Sequence, residues 1–243
     1  MTLLRLTNVG KSYGGVSAVR NFSFDVEEGE VVGLMGANGA GKTTVFSLIA
    51  GTQPVTTGQI WFAGQRIDQM PAYLVSRLGI ARTFQIVRPF SGLTVLDNLV
   101  IAALHGHDRA PSRSSADARS RAILQEVGLA DQANRLAGTL TLAGRKRLEI
   151  ARAIATGPRL LLLDEVLAGL TATEVAAALE MIRHLREHYQ LTLVVIEHVM
   201  RALMKLCSRI VVLHHGEMLA EGAPADIVVD QRVISAYFGK RAS

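Results

Sequence analysis

Two rhythms of apolar and polar positions run along this chain. In Leu4-Arg5-Leu6-Thr7-Asn8-Val9 and Phe22-Ser23-Phe24-Asp25-Val26 the two kinds of residue alternate. That is the period of half-exposed antiparallel strands, and Gly14-Gly15 supplies the turn between them. Ile60 to Ile67 reads as another hairpin arm. Elsewhere the apolar residues come in continuous runs. Glu30 to Met35, Leu160 to Leu163 and Leu191 to Ile196 are strand-sized and predict strands buried on both faces. Thr44 to Ala50 predicts a helix that Gly51 can end. From about Leu93 to Ala155 the strand signal disappears and helices dominate, and Pro224 suits the first turn of a short C-terminal helix. The alternation predicts an α/β fold around a mainly parallel sheet, with no internal repeat.

Composition narrows the class. A chain of 243 residues allows one large or two small domains. Hydrophobic residues make up 49% of it, and mean hydropathy is +0.26. Yet no apolar run approaches the roughly 20 residues that span a bilayer. The N-terminal residues turn polar without a secretory apolar segment, so the expectation is a chain that stays in the cytosol. The apolar excess then implies a large core or a surface covered by a partner. Cys207 is the single cysteine and reads as a small buried hydrophobe rather than a reactive thiol. A net charge of +5 permits contact with phosphate or an anionic membrane face. Aromatics at 5% and the lack of a long basic run argue against nucleic-acid readout. The Arg-rich stretch from His105 to Ser115, with Arg119 and Arg121 beyond it, reads as a solvated insert. Contact with lipid head groups is the sharper alternative.

Gly36-Ala37-Asn38-Gly39-Ala40-Gly41-Lys42-Thr43 satisfies G-x-x-x-x-G-K-S/T. Its glycines let successive backbone N–H groups turn inward on a phosphate chain. Lys42 can then reach the β- and γ-phosphates while the Thr43 hydroxyl holds Mg²⁺. A strand before the loop and a helix after it complete the anion site. Arg159 to Glu165 is an apolar strand ending in two carboxylates: Asp164 can hold Mg²⁺, and Glu165 can polarise an attacking water. Leu191 to His198 repeats the design, with His198 delivered at a strand end beside the expected γ-phosphate. His105/His107 lies in the polar loop, and His184/His188, spaced to pair on one helix face, has no evident third ligand for a zinc site.

Taken together these residues resemble the ATP-binding subunits of ABC transporters over essentially the whole chain. The resemblance implies a P-loop NTPase (RecA-like) core with an antiparallel β subdomain and an inserted α-helical subdomain. Residues 1–92 and 156–222 would form the core, 93–155 the helical part and 223–243 a C-terminal helix. Gly36 to Thr44 then corresponds to the Walker A motif, with Gly36, Asn38, Gly39, Ala40, Gly41, Lys42, Thr43 and Thr44 on the nucleotide, and Leu160 to Glu165 to Walker B. Gln85 matches the glutamine that contacts Mg²⁺ and faces the membrane subunit. His198 matches the switch histidine, and Tyr13 the aromatic that stacks on adenine. The implied ligands are ATP and Mg²⁺. The implied partners are a second ABC ATPase subunit, integral membrane permease subunits and, indirectly, an extracytoplasmic solute-binding protein, with no nucleic acid. The implied place is the cytoplasmic face of the cell membrane. Arg77 to Gln85, Leu148 to Ala153 and Val233 to Gly239 look like the branched-chain amino acid importer branch, whose relatives also carry other hydrophobic amino acids, urea and short amides.

Three departures from the family pattern stand out. The signature Leu-Ser-Gly-Gly-Gln appears as Leu140-Thr141-Leu142-Ala143-Gly144, so side chains occupy positions where glycine lets backbone approach a phosphate. Thr141, Ala143 and Gly144 remain the candidate contacts to a partner's ATP. Val166 replaces a proline, and Thr171 replaces an aspartate. Complete hydrolytic machinery with a weakened signature predicts a heterodimer with two unequal sites. Rival readings are the ATPase of a lipid or lipopolysaccharide exporter, a non-transport ABC protein acting on nucleic acid or ribosomes, and a P-loop kinase.

Overall fold

The computed structural model describes residues 1–84, 89–198 and 200–238, with only the backbone at 238. It divides into two compact units, one of residues 1–75 and 192–243, the other of 76–191.

The first unit opens with β1 (Thr2–Tyr13) and β2 (Val16–Glu27), an antiparallel pair. Their alternation is interrupted. Asn8 and Asn21 both take positive φ, which asparagine tolerates, and the register shifts between Leu6 and Val9. The shift returns Val9 to the buried face that holds Leu4, Leu6, Phe22 and Val26. β3 (Val31–Gly36) is buried throughout and leads into α1 (Lys42–Ile49). β4 (Thr57–Phe62) and β5 (Gln65–Arg66) complete the order β2-β1-β4-β5. α2 (Ala72–Leu78) follows.

The second unit pairs two short parallel strands, β6 (Ile80–Arg82) and β7 (Leu160–Asp164), with Ile80 opposite Leu160. Between them in sequence run α3 (Val95–His105), α4 (Arg113–Glu126) and α5 (Leu142–Ala155), and α6 (Ala172–Tyr189) follows β7. A hydroxyl caps each of these four helices: Thr94, Ser112, Thr141 and Thr171. The Arg-rich insert is laced to itself and to α3, with Arg119 on Asp108, Arg121 on Asp117 and Arg113 on Asp97 of α3.

The chain then returns to the first unit. β8 (Thr192–Ile196) and β9 (Arg209–His214) flank β3 in parallel, with α7 (Met200–Leu206) between them, and β10 (Glu217–Gly222) adds an antiparallel edge. Where the sequence suggested one C-terminal helix, the described residues form two, α8 (Pro224–Val229) and α9 (Gln231–Phe238). Asp230 separates them: its backbone is extended, and its carboxylate accepts the Arg232 N–H at 2.8 Å, starting a new helix. Among the described residues no helix is long and apolar enough to cross a membrane.

Candidate functional site

The first unit brings the glycine-rich loop and His198 to one edge of its sheet. β3 and β8 run parallel with Leu34 opposite Ile196, so Gly36 and His198, each two residues further on, leave the same edge of the sheet. Ligands of open α/β sheets bind at that carboxyl edge. The loop after Gly36 is fixed by its own neighbours. A Cβ on Gly36 would lie 2.5 Å from the Leu213 carbonyl, and one on Gly41 2.6 Å from that of Ala18. Gly41 also has φ 107, so only glycine fits there. Ala40 accepts a hydrogen bond from the Gly216 N–H at 3.0 Å, which ties the loop to the β9–β10 turn. Asn38, Gly39 and Thr43 are exposed on it, and Thr44 is half-buried.

Lys42 is the first residue of α1 and only 6% exposed. Its ammonium donates to the carbonyls of Gly36 at 2.7 Å and Ala37 at 3.1 Å, so the charge stays inside the loop. No acidic side chain occupies the first turn of α1. The N-terminal amides of α1 and the positive end of the helix dipole therefore favour an anion there.

Tyr13 ends β1 at the hairpin tip, opposite Val16, and is 46% exposed. A core aromatic would be covered; this ring is presented. The strand after it touches the phosphate loop at Ala18, and the Lys11 ammonium lies 5.0 Å from the ring centroid. A residue that sequence reasoning did not assign also reaches the loop. Tyr237 of α9 meets the Gly36 backbone, and burial pushes its phenol up to about 12. Its only sequence signal was the aromatic pair in the tail.

The second unit holds the carboxylates. Asp164 ends β7, and its side chain is 1% exposed against Arg82. Glu165, the next residue, has φ 50, a left-handed backbone that costs a non-glycine residue roughly 1 kcal/mol or more and recurs where a side chain must be aimed. Lys146 of α5 donates to the Glu165 carbonyl at 2.8 Å and holds that turn.

Through Lys146 the carboxylates share a neighbourhood with the degenerate signature. Thr141 caps α5 by accepting the Gly144 N–H at 3.2 Å, so its hydroxyl has a structural task. Leu142, 44% exposed, leans on Gly169 beyond Glu165: a Cβ on that glycine would lie 3.1 Å from the leucine methyl. Thr171 and Glu174 form a reciprocal capping box, which gives the non-aspartate at that position a local reason.

Gln85 lies outside the described residues. The backbone just before it is held by Glu149 of α5, whose carboxylate accepts the Phe84 N–H. Burial pushes the Glu149 carboxyl above its usual range, and the Phe84 N–H, Arg152 and Lys146 pull it back only in part. Arg82, Lys146 and Glu149 were missed as individual residues. A strand-ending arginine one strand away from a strand-ending aspartate was the available signal. Among the described residues no cluster of three histidine, cysteine or acidic side chains could hold a metal. Burial raises the Cys207 thiol to about 12, as a buried hydrophobe requires.

Comparison with known proteins identifies relatives along nearly the whole chain. The family model described as ABC transporter matches residues 19–168. The model described as branched-chain amino acid ATP-binding cassette transporter matches residues 217–243. The chain is 38% identical over 250 residues to the high-affinity branched-chain amino acid transport ATP-binding protein LivG of Escherichia coli K12, covering 98% of both chains. It is 39% identical over 250 residues to BraF of Pseudomonas aeruginosa, a protein of the same description, with 98% of both chains covered. The lipopolysaccharide export system ATP-binding protein LptB of E. coli K12 is 33% identical over 240 residues, covering 99% of this chain and 98% of LptB. Among solved structures, the ADP conformation of MJ1267, an ATP-binding cassette of an ABC transporter, superposes with a TM-score of 0.89 at 27% identity. The match covers 99% of this chain and all of that one.

Proposed function

The chain belongs to the ABC transporter ATP-binding family, and from that premise we propose that it powers the uptake of branched-chain or similar hydrophobic amino acids. It is an ATPase whose turnover is coupled to transport. Two findings favour this solute class over export of a lipid. The importer proteins are the more similar at 38–39% against 33%, and the branched-chain family model matches the C-terminal residues. Urea and short amides remain within the same reading.

The single observation that supports the mechanism is that β3 and β8 end at one edge, with a buried lysine in α1 after the loop that follows β3 and an exposed histidine just after β8. The backbone of Gly36, Asn38, Gly39, Ala40 and Gly41 wraps the β-phosphate, with Thr44 beside it, and Lys42 neutralises the β- and γ-oxygens. Tyr13 stacks on the base. Glu165 takes a proton from the attacking water or orients it, and His198 donates a hydrogen bond to the γ-phosphate.

Where bound with the nucleotide, Mg²⁺ would supply charge neutralisation to the phosphates. On this reading the Thr43 hydroxyl, the Asp164 carboxylate and the Gln85 amide oxygen would hold it, and hard oxygen donors are the ligands this ion takes. Expected of Glu165→Gln is retained ATP binding with turnover lower by about 10²–10⁴-fold. Unchanged turnover would remove Glu165 from this role.

Partners follow from the same premise. The ATPase acts as a dimer against permease subunits on the cytoplasmic face of the membrane, with a solute-binding protein on the far side. A related cassette, MJ0796, at 25% identity and a TM-score of 0.83, is dimeric in a post-hydrolysis state with ADP and Pi. A signature that offers Thr141, Ala143 and Gly144 with Leu142 among them serves a partner's ATP poorly. The competent site therefore pairs this chain's Lys42, Glu165 and His198 with another chain's signature. ATP turnover of the purified chain against that of the chain with its natural partner measures this. Vigorous hydrolysis by the chain alone speaks against unequal sites.

A further inference from the structure

Inside the fold the Asp164 carboxylate already has a cation against it. Arg82 Nη2 donates to Asp164 Oδ2 at 2.8 Å, with side chains 8% and 1% exposed. This is a buried pair rather than a flexible surface contact. The strand fixes its geometry. Thr83, fully buried, donates its N–H to the Leu162 carbonyl at 2.9 Å and accepts the Asp164 N–H on its hydroxyl at 2.9 Å. Thr83, whose hydroxyl also donates to the Leu162 carbonyl at 3.4 Å, thus extends the β6–β7 pairing by one backbone and two side-chain bonds and leaves Arg82 little freedom to turn away. On the other side, Phe84 is gripped by Glu149 through its N–H, and its ring lies 5.3 Å from the Arg82 guanidinium. Residues 82–84 are therefore held at one end by the carboxylate of β7 and at the other by α5.

We infer that Arg82 is the internal counter-ion of Asp164 and sets how tightly that carboxylate holds a divalent cation. The inference rests on the reading of Asp164 as the Mg²⁺ ligand. One carboxylate shared between a guanidinium and a divalent ion serves each less well, and the two cations repel across a short, poorly solvated gap. The coupling is reciprocal. By whatever factor Arg82 weakens the metal, bound metal loosens the hold of Asp164 on Arg82, and with it on the segment that runs into Gln85. Arg82 is thus a positioning residue: it acts on the metal through Asp164.

The prediction has an unusual sign. A residue that merely shaped the site would weaken metal binding when removed, whereas removing a competing charge strengthens it. The probe is Mn²⁺, titrated into the full chain saturated with ADP and followed by electron paramagnetic resonance. Arg82→Gln is expected to tighten Mn²⁺ by about tenfold, the scale of one charge removed through a partly screened medium. Melting of Arg82→Gln should also rise more on adding Mn²⁺ and ADP than that of the parent chain. Arg82→Lys keeps the charge without the planar fork and should stay near the parent affinity.

Asp164→Asn separates the two readings. If it leaves Mn²⁺ affinity unchanged, the metal role of Asp164 is wrong. If it weakens Mn²⁺ while Arg82→Gln fails to tighten it, the counter-ion role of Arg82 is wrong. Should Arg82→Gln not fold, the double variant with Asp164→Asn decides. Recovery of the fold supports two offsetting charges, and continued failure overturns the inference.

Discussion

The phosphate loop and the signature segment are both short turns leading into a helix, yet they obey different constraints. At Gly36 and Gly41 an added Cβ would strike backbone carbonyls of this same chain at 2.5 and 2.6 Å. In the signature the positions where glycine is usual hold Leu142 and Ala143, both in the first turn of α5 and neither with positive φ. Leu142 even leaves its side chain 44% exposed. The loop needs its glycines in order to fold. The signature folds well without them, because Thr141 caps α5 and Leu142 leans on Gly169. On the proposed reading, what favours glycine in that segment is a partner's nucleotide, which lies outside the chain. A motif serving its own chain is held by internal packing, whereas a motif serving a partner can decay without loss of fold.

The comparison can be broken most severely at Lys42. Lys42→Ala is expected to cut ATP turnover by at least about 10²-fold, the cost of removing one charge from a transferring phosphoryl group, with melting changed far less. Turnover that survives would mean the loop does not bind the nucleotide. A smaller effect sharpens the other side. The pair Leu142→Gly and Ala143→Gly should raise turnover of the chain alone by about tenfold if a backbone donor to phosphate is recovered. No gain would place the limitation elsewhere than in the signature.

Smaller still is the response of Glu149. Burial raises its pKa in the folded chain, so the stability it contributes is present below the unfolded carboxyl pKa and is lost as pH rises through the folded value. Glu149→Gln can still accept the Phe84 N–H. Its melting temperature should therefore gain on the parent's between pH 5 and pH 8, by a few degrees at most. A difference that shrank with pH would contradict the burial argument. The slightest effect concerns Cys207. With its thiol near 12, about one molecule in 10⁴ is ionised at pH 8, so a disulfide reagent should label it only on unfolding.

Much of this was legible before any coordinates. The strands ending at Gly36, Asp164 and Ile196 announce themselves as apolar runs delivering polar residues, and the run of glycines before Lys42 names its own chemistry. The hairpin of β1 and β2 was readable from alternation alone, although Asn8 and Asn21 re-phase it in a way no periodicity foretold. The break at Asp230 was hidden because Ala225 to Val229 and Val233 to Phe238 are each helical in pattern. Only a local carboxylate-to-backbone bond separates them.

By itself the sequence determined which residues could do phosphate chemistry, since glycine freedom, a lysine after it and carboxylates at strand ends are properties of residue type and spacing. Tertiary structure alone decided which charges meet. Arg82 and Asp164 stand 82 positions apart in the chain, as Glu149 and Phe84 stand 65 apart, and both become neighbours only because β6 and β7 pair and α5 packs beside them. Electrostatic partnership depends on distance through space and on exclusion of water, and a linear pattern encodes neither.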